Sequence, residues 1–269
     1  MKFEWKKGTP VLWEEFTWEE VEEYVDHCNM VIIPVGATEP HGPHLPLMTD
    51  TAQSYEICKR VSANTGVPVI PPVAIGISQS HGNFPGTLWV RVDTMISLLY
   101  DLCTSLYQSG VRKYFFINGH MYNDWGIKGV RDHFRCDYDD VQITTLNYWQ
   151  AADTRFAEDC PQKKHIHGNF GETSQLLALR PDLVKMDRAE NTADFFTLFD
   201  YRFDQVSKNG VIGENATGGT AEAGEIMLGQ FEEKITELVK LGLAEKIPIP
   251  GGYQRKNKSI VEKRRSWSR

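Results

Sequence analysis

The expected fold rests on one stretch of sequence: residues 30–50 read MVIIPVGATEPHGPHLPLMTD. The first seven residues form a short apolar run that ends in glycine, which is the pattern of a strand buried on both faces of a sheet. The following residues are polar and contain several prolines, which restrict the backbone. We therefore predict a buried strand that leads into a stiff loop at its carboxyl end.

Similar apolar runs predict three further strands. They lie at 67–76, 113–119 and 141–147. Helical patterns occupy 51–63, 93–108 with Asp93 as N-cap, and 123–134, and further helices are expected after the capping box at Thr17, near Glu172, and over 221–241. Strands that alternate with helices indicate an α/β fold: a single-domain, mostly parallel sheet with helices on both faces.

Charge separates the chain into two parts. The sequence has 29 Lys or Arg and 36 Asp or Glu, and residues 255–269 alone hold seven basic residues and one acidic residue. The remaining body is strongly acidic and repels phosphate backbones, so we expect no nucleic-acid partner. We predict one domain over 1–250 and a basic C-terminal extension over 251–269.

The cysteines and the apolar runs bear on the compartment. Five cysteines are widely spaced without a Cys-x-x-Cys pair, which favours reduced thiols over a disulfide framework. The first residues lack the apolar segment of a signal peptide, and the apolar runs are too short to cross a bilayer. We expect a cytoplasmic protein with no membrane partner.

Potential metal ligands gather behind the predicted strands. Glu39, His41, His44 and Asp50 lie within twelve residues after the first run, and His120 follows the run at 113–119. The carboxyl ends of parallel strands meet at one edge of a sheet, so these side chains should converge there. His and carboxylate donors without thiolate favour Zn²⁺ or Mn²⁺, and we predict one or two ions per subunit.

A second histidine-rich segment adds candidates. Residues 165–172 read HIHGNFGE, which places His165 and His167 just ahead of Glu172 at a predicted helix start. The two imidazoles are candidate ligands or proton-transfer groups. Metal ions held near such groups support hydrolysis.

Several motifs resemble the creatininase (creatinine amidohydrolase) family. PVGATEPHGPHLPLMTD is similar to the family signature PVGSxEQHGPHLPLxTD, and FPGT (84–87), NGH (118–120) and HGNFGETSQLLALRPDLV (167–184) follow in the family's order. The resemblance covers about residues 30–240. It implies a doubly covered parallel α/β fold, self-association as a homohexamer, and a divalent metal centre.

The resemblance also implies residue roles. Glu39 and His120 would hold one metal, His41 the other, and Asp50 would bridge the two. His167 matches a histidine that shuttles a proton. Glu172 would ligate a metal or orient His120.

Two positions depart from the family pattern. Tyr122 stands where creatininase has a metal-ligating glutamate, so the second metal is weaker, held by Glu172 or Asp124, or absent. Ile166 stands where creatininase has a glutamate near its substrate. Tyr122, Asn123 and His165 are predicted substrate contacts that suit a polyhydroxylated ring.

These features predict a metal-dependent hydrolase that opens a small cyclic polar substrate, such as a cyclic amide, by attack of a metal-activated water. One alternative is ring opening of an oxidised inositol, as in the 3-dehydro-scyllo-inosose hydrolase branch of the family. A second alternative is a metal-binding oligomer without catalysis.

Overall fold

The computed structural model describes residues 5–151, 167–192, 198–213 and 215–246. Three parallel strands form its sheet in the order β1 (Met30–Val35), β2 (Lys113–Asn118) and β3 (Gln142–Asn147). Met30 pairs with Lys113 and Lys113 with Gln142, so the three strands start and end in register. All carboxyl ends therefore lie at one edge, as the sequence predicts.

Seven α-helices surround this sheet within the described residues. They are α1 (Trp18–His27), α2 (Thr49–Thr65), α3 (Val92–Gln108), α4 (Asn123–Asp137), α5 (Phe170–Leu179), α6 (Phe203–Val206) and α7 (Ala221–Ala244). Six of them correspond to predicted helices, whereas the four-residue α6 has no counterpart among the predictions. The single-domain α/β prediction is confirmed.

Helices cover both faces of the sheet because alternate residues of the strands point to opposite sides. Ile32 and Phe115 pack with α2 and α7 in one apolar core. Val31 and Ile33 pack with α3 and α4 in the other. Every residue of β1 is buried, as expected for a strand of a parallel sheet that helices cover on both faces.

The predicted strand at 67–76 is wrong in detail. This segment runs beside β1 but pairs only through isolated bridges, such as Ile32 with Val69 and Val35 with Val73. Pro68, Pro71 and Pro72 lack an N–H group, so they interrupt the ladder of hydrogen bonds that a full strand needs.

Helix starts agree with the capping rules at some positions and not at others. Thr17 and Glu20 form the predicted capping box of α1. Asp93 is not the N-cap of α3: Arg91 holds that position, and Asp93 lies in the first turn, where its charge favours the helix dipole. α5 begins at Phe170, before Glu172, because the Asn169 side chain accepts from Gly171 N.

No helix in the described part of the chain is long and apolar enough to cross a membrane. The predicted extension over 251–269 lies outside the described residues, so the domain boundary at 250 stays a prediction.

Candidate metal centre

The carboxyl edge of the sheet positions a cluster of buried acids and histidines. Glu39 and His41 follow β1, Asp50 lies in the first turn of α2, and His120 follows β2. The backbones meet closely here: a Cβ on Gly36 would lie 2.4 Å from Thr51, and a Cβ on Gly119 would lie 2.5 Å from the Asp50 carbonyl oxygen. Glycine at both positions lets α2 approach the strand ends and brings Asp50 between them.

Among the described residues, three overlapping groups of acids and histidines could each hold a metal ion. The groups are Glu39, Asp50 and His120; His41, Asp50 and Glu172; and Glu39, His41 and His167, and within each the ligand atoms lie within 4.8 Å of one another. Asp50 belongs to the first two groups through different oxygens. Its Oδ1 lies 2.9 Å from His41 Nε2, and its Oδ2 lies 3.3 Å from His120 Nδ1. The carboxylate of Asp50 thus lies between two sets of donors.

Backbone carbonyl groups fix which nitrogen of each imidazole faces the cluster. His41 Nδ1 lies 3.2 Å from the Glu39 carbonyl oxygen, His120 Nε2 lies 3.2 Å from that of Ile77, and His167 Nε2 lies 2.7 Å from that of Pro40. A carbonyl can only accept, so in the neutral rings these nitrogens carry the proton. The opposite nitrogens then present lone pairs to the cluster, the arrangement that metal-ligating histidines usually show.

The donors fit a cation because several of their polar atoms are buried without a hydrogen-bond partner. Within the described chain, both carboxylate oxygens of Glu39, Oδ2 of Asp50 and Nε2 of His41 are buried without a hydrogen-bond partner. Buried polar atoms of this kind are costly to leave unpaired. The donor types, carboxylate and imidazole, suit Zn²⁺ or Mn²⁺.

The neighbouring carboxylates raise the pKa values of two histidines in the cluster. Burial alone would lower the pKa of His41, but Asp50 and Glu172 outweigh it and hold that pKa well above its usual range. Burial is likewise the largest influence on His120, yet Glu39 and Asp50 raise its pKa to about 10. A proton on these rings, or a metal ion beside them, offsets the same carboxylates.

Glu172 is oriented by the turn that precedes α5. Its Oε2 accepts a hydrogen bond from Gly168 N, and its Oε1 lies 3.7 Å from His41 Nε2. Gly168 has a φ of 65° and approaches the His41 carbonyl group closely, so a side chain there would be strained. One oxygen is therefore anchored while the other faces the cluster.

A family model gives the comparison that decides the relationship. The model described as creatininase, creatinine amidohydrolase, matches residues 14–239. The chain belongs to the creatininase family. This confirms the resemblance seen in the sequence motifs.

Three curated proteins are similar to this chain. The creatinine amidohydrolase of Pseudomonas putida is 32% identical over 65% of this chain and 74% of its own length. The 3-dehydro-scyllo-inosose hydrolase of Thermotoga maritima is 29% identical over 70% of this chain and 62% of its own length. The mycofactocin precursor peptide peptidase of Mycolicibacterium smegmatis is 31% identical over 78% of this chain and 84% of its own length.

Solved structures of creatininase share the fold. A manganese form and a zinc–zinc form of a mutant each superpose with a TM-score of 0.79 at 27% identity, covering 88% of this chain. The matched regions cover 100% of the manganese form and 99% of the zinc–zinc form. The prediction of a Zn²⁺ or Mn²⁺ cofactor is confirmed by these relatives together with the donor groups described above.

The other predicted residues lie in different surroundings. The ring of Tyr122 packs against His120 and His81, with centroid distances of 5.5 and 5.9 Å, so it lies beside the creatininase-like cluster. Asn123 is fully buried; its amide donates to the Gly36 carbonyl group and accepts from Ile77 N. These bonds give Asn123 a structural role instead of the predicted substrate contact.

Asp124 and His165 are the remaining candidates from the sequence. Asp124 pairs with Lys128 on α4, and among the described residues it belongs to none of the three donor groups. Glu172, the other candidate for holding the second metal, does lie in one of them. His165 lies outside the described residues.

Two residues beside the cluster, His81 and Phe203, are not among the residues predicted from the sequence. His81 is buried, and its Nδ1 lies 3.5 Å from Glu39 Oε2. Phe203 packs its ring against His81 and His167 at 4.3 and 4.5 Å. His81 had a usable signal, because it follows the apolar run at 67–76 and precedes FPGT by three residues. Phe203 had none, since no strand ends near it in sequence.

Proposed function

We propose that this metal-dependent hydrolase opens a small cyclic polar substrate at a C–N bond, as in a cyclic amide. The observation that carries the proposal is the enclosed donor set at the carboxyl edge. Glu39, His41, Asp50, His120 and Glu172 are all buried, and the side chain of His167 is 14% exposed.

Enclosure favours a small substrate over a peptide. The rings of Phe203 and Tyr122 lie against the histidines and leave little of the cluster open to solvent. An extended peptide, the substrate class in the name of the mycobacterial relative, would have to displace these rings. A compact ring such as creatinine or an inosose needs less room.

The chain's own residues supply proton transfer and orientation. A divalent ion bound among Glu39, His41, Asp50, His120 and Glu172 would supply Lewis acidity and activate water. We assign His167 to proton transfer, because Pro40 holds its Nε2–H and leaves Nδ1 directed at the cluster. Glu172 belongs to the same donor group as His41 and Asp50, and its Oε1 faces His41 Nε2 at 3.7 Å.

Turnover after metal exchange tests this function. We expect protein stripped with EDTA to be inactive and reloading with Mn²⁺ or Zn²⁺ to restore hydrolysis of one cyclic substrate in a panel of creatinine, other cyclic amides, 3-dehydro-scyllo-inosose and short peptides. Mass spectrometry of the metal content accompanies each assay.

The outcomes separate the alternatives. Hydrolysis of the inosose alone would select the ring-opening branch named by the Thermotoga relative. Bound metal without turnover across the panel would favour a non-catalytic metal-binding oligomer. Cleavage of peptides alone would contradict the argument from enclosure.

We further propose that the chain self-associates, as a homohexamer, in the cytoplasm. Large apolar side chains are exposed on segments around the carboxyl edge, which monomeric proteins rarely tolerate as a patch. Leu88 and Trp89 lie near this edge, since Leu88 pairs with Thr38, which follows β1, and Trp89 pairs with Gly76. Within the described part of the chain, Cys28, Cys58, Cys103 and Cys136 form no disulfide, which supports a reducing compartment.

Light scattering measures the assembly. Because one chain has a mass of 30.7 kDa, we expect roughly six times that value for the wild type, and smaller species when Trp89→Asp places a charge in the exposed apolar region. A wild-type protein of single-chain mass would contradict the hexamer.

A further inference from the structure

Glu39 presents two oxygens to different neighbours. Oε1 faces His120 Nδ1 at 3.1 Å and His167 Nδ1 at 3.8 Å, on the side of the other donors. Oε2 faces His81 Nδ1 at 3.5 Å. A carboxylate that binds a metal through one oxygen is usually held by a hydrogen bond to the other.

The backbone around His81 is fixed on both sides. His81 N donates to the Ser78 carbonyl group, and the His81 carbonyl oxygen accepts from Phe84 N and from the Thr87 hydroxyl group. The ring itself is enclosed by Phe203, His167 and Tyr122. His81 therefore has a defined orientation before any ligand binds.

Ring packing alone does not account for a histidine at this position. Phenylalanine or tyrosine would fill an aromatic pocket without the cost of burying a polar ring. The Nδ1 atom has two polar neighbours, the Ser80 hydroxyl group at 3.1 Å and the Glu39 carboxylate. The carboxylate can only accept, so a hydrogen bond from Nδ1 to Glu39 requires a proton on Nδ1, and the Ser80 hydroxyl group then acts as an acceptor.

We propose that His81 is a positioning residue for the metal centre. In this structure the contact of 3.5 Å is not a hydrogen bond, since Oε2 of Glu39 lacks a hydrogen-bond partner. When a metal ion binds beside Oε1, the Nδ1–H of His81 would donate to Oε2 and direct Oε1 toward Asp50 and His120, because contacts of this kind often tighten when the ligand binds. This role rests on the proposed function of Glu39 as a metal ligand.

Two substitutions distinguish the contribution of the Nδ1 atom from that of the aromatic ring. His81→Phe keeps a planar ring against Phe203 and His167 but removes Nδ1. His81→Asn removes the ring but places an amide nitrogen close to the position of Nδ1. His81→Gln serves as the matched control, because its amide is one methylene farther out and mimics the other ring nitrogen.

Titration of the full-length, metal-free protein with Mn²⁺, followed by the electron paramagnetic resonance signal of the free ion, measures the effect. We expect His81→Phe and His81→Gln to weaken Mn²⁺ binding by about 10- to 100-fold and His81→Asn to stay near the wild type. Thermal unfolding of each metal-free variant verifies the fold. If His81→Phe does not fold, the difference in Mn²⁺ affinity between His81→Asn and His81→Gln tests the proposal.

Wild-type affinity in His81→Phe, or equal losses in the Asn and Gln variants, would overturn the proposal. Glu39→Gln distinguishes this failure from failure of the proposed function. If the wild type binds Mn²⁺ and Glu39→Gln does not, the metal centre stands whatever His81 does. If the wild type itself binds no Mn²⁺, the proposed function fails.

Discussion

Replacing Asp50 by asparagine should abolish metal binding and turnover together. The substitution keeps the size of the side chain and removes the charge that faces His41 through Oδ1 and His120 through Oδ2. Since two of the three donor groups include this carboxylate, we expect Mn²⁺ affinity to fall by at least about 100-fold, beyond the usual effect of a residue that only supports a ligand. Calorimetric titration with Mn²⁺ and a metal-dependent activity assay measure the two losses.

Asp124→Asn is the matched control for this prediction. It makes the same chemical change in an acid that pairs with Lys128 on α4 instead of joining the cluster. The control should bind Mn²⁺ as the wild type does. Circular dichroism of both variants establishes that the fold is kept. Retention of full Mn²⁺ affinity in Asp50→Asn would remove Asp50 from the centre.

The convergence of the site was predictable because it follows from the register of the sheet. β1 and β2 end side by side, with Val35 opposite Asn118, so Glu39 and His120 had to meet at the same edge. The same rule applied to the run at 67–76 would have included His81. That run lacks a complete ladder, but its bridges to β1 still carry it to the same edge.

Other features depend on contacts that a linear pattern does not contain. Asn123 follows the NGH motif and is polar, which suggested a substrate contact, yet its amide joins Gly36 to Ile77 across a distance of many residues in sequence. Phe203 reaches the histidines from a four-residue helix that shows no amphipathic periodicity. The nitrogen that each histidine presents depends on which carbonyl group its ring meets in the folded chain.

Replacing His167 by glutamine should lower catalysis while leaving the metal in place. The amide nitrogen of glutamine can keep the hydrogen bond to the Pro40 carbonyl group that His167 Nε2 makes at 2.7 Å. Nothing in glutamine replaces the basic Nδ1, so proton transfer is lost. Removing a general acid or base of this kind costs about 10²- to 10⁴-fold in kcat. We expect a loss in that range with Mn²⁺ affinity close to that of the wild type.

This combination distinguishes proton transfer from ligation. His167 also belongs to a donor group with Glu39 and His41, although its Nδ1 lies farther from Glu39 Oε1, at 3.8 Å, than His120 Nδ1 does, at 3.1 Å. If His167 were a ligand, His167→Gln would lose Mn²⁺ as Asp50→Asn is expected to do. His133→Gln, in an exposed histidine of α4, controls for the chemical change itself. Equal loss of metal and activity in His167→Gln would therefore reassign His167 from proton transfer to the metal centre.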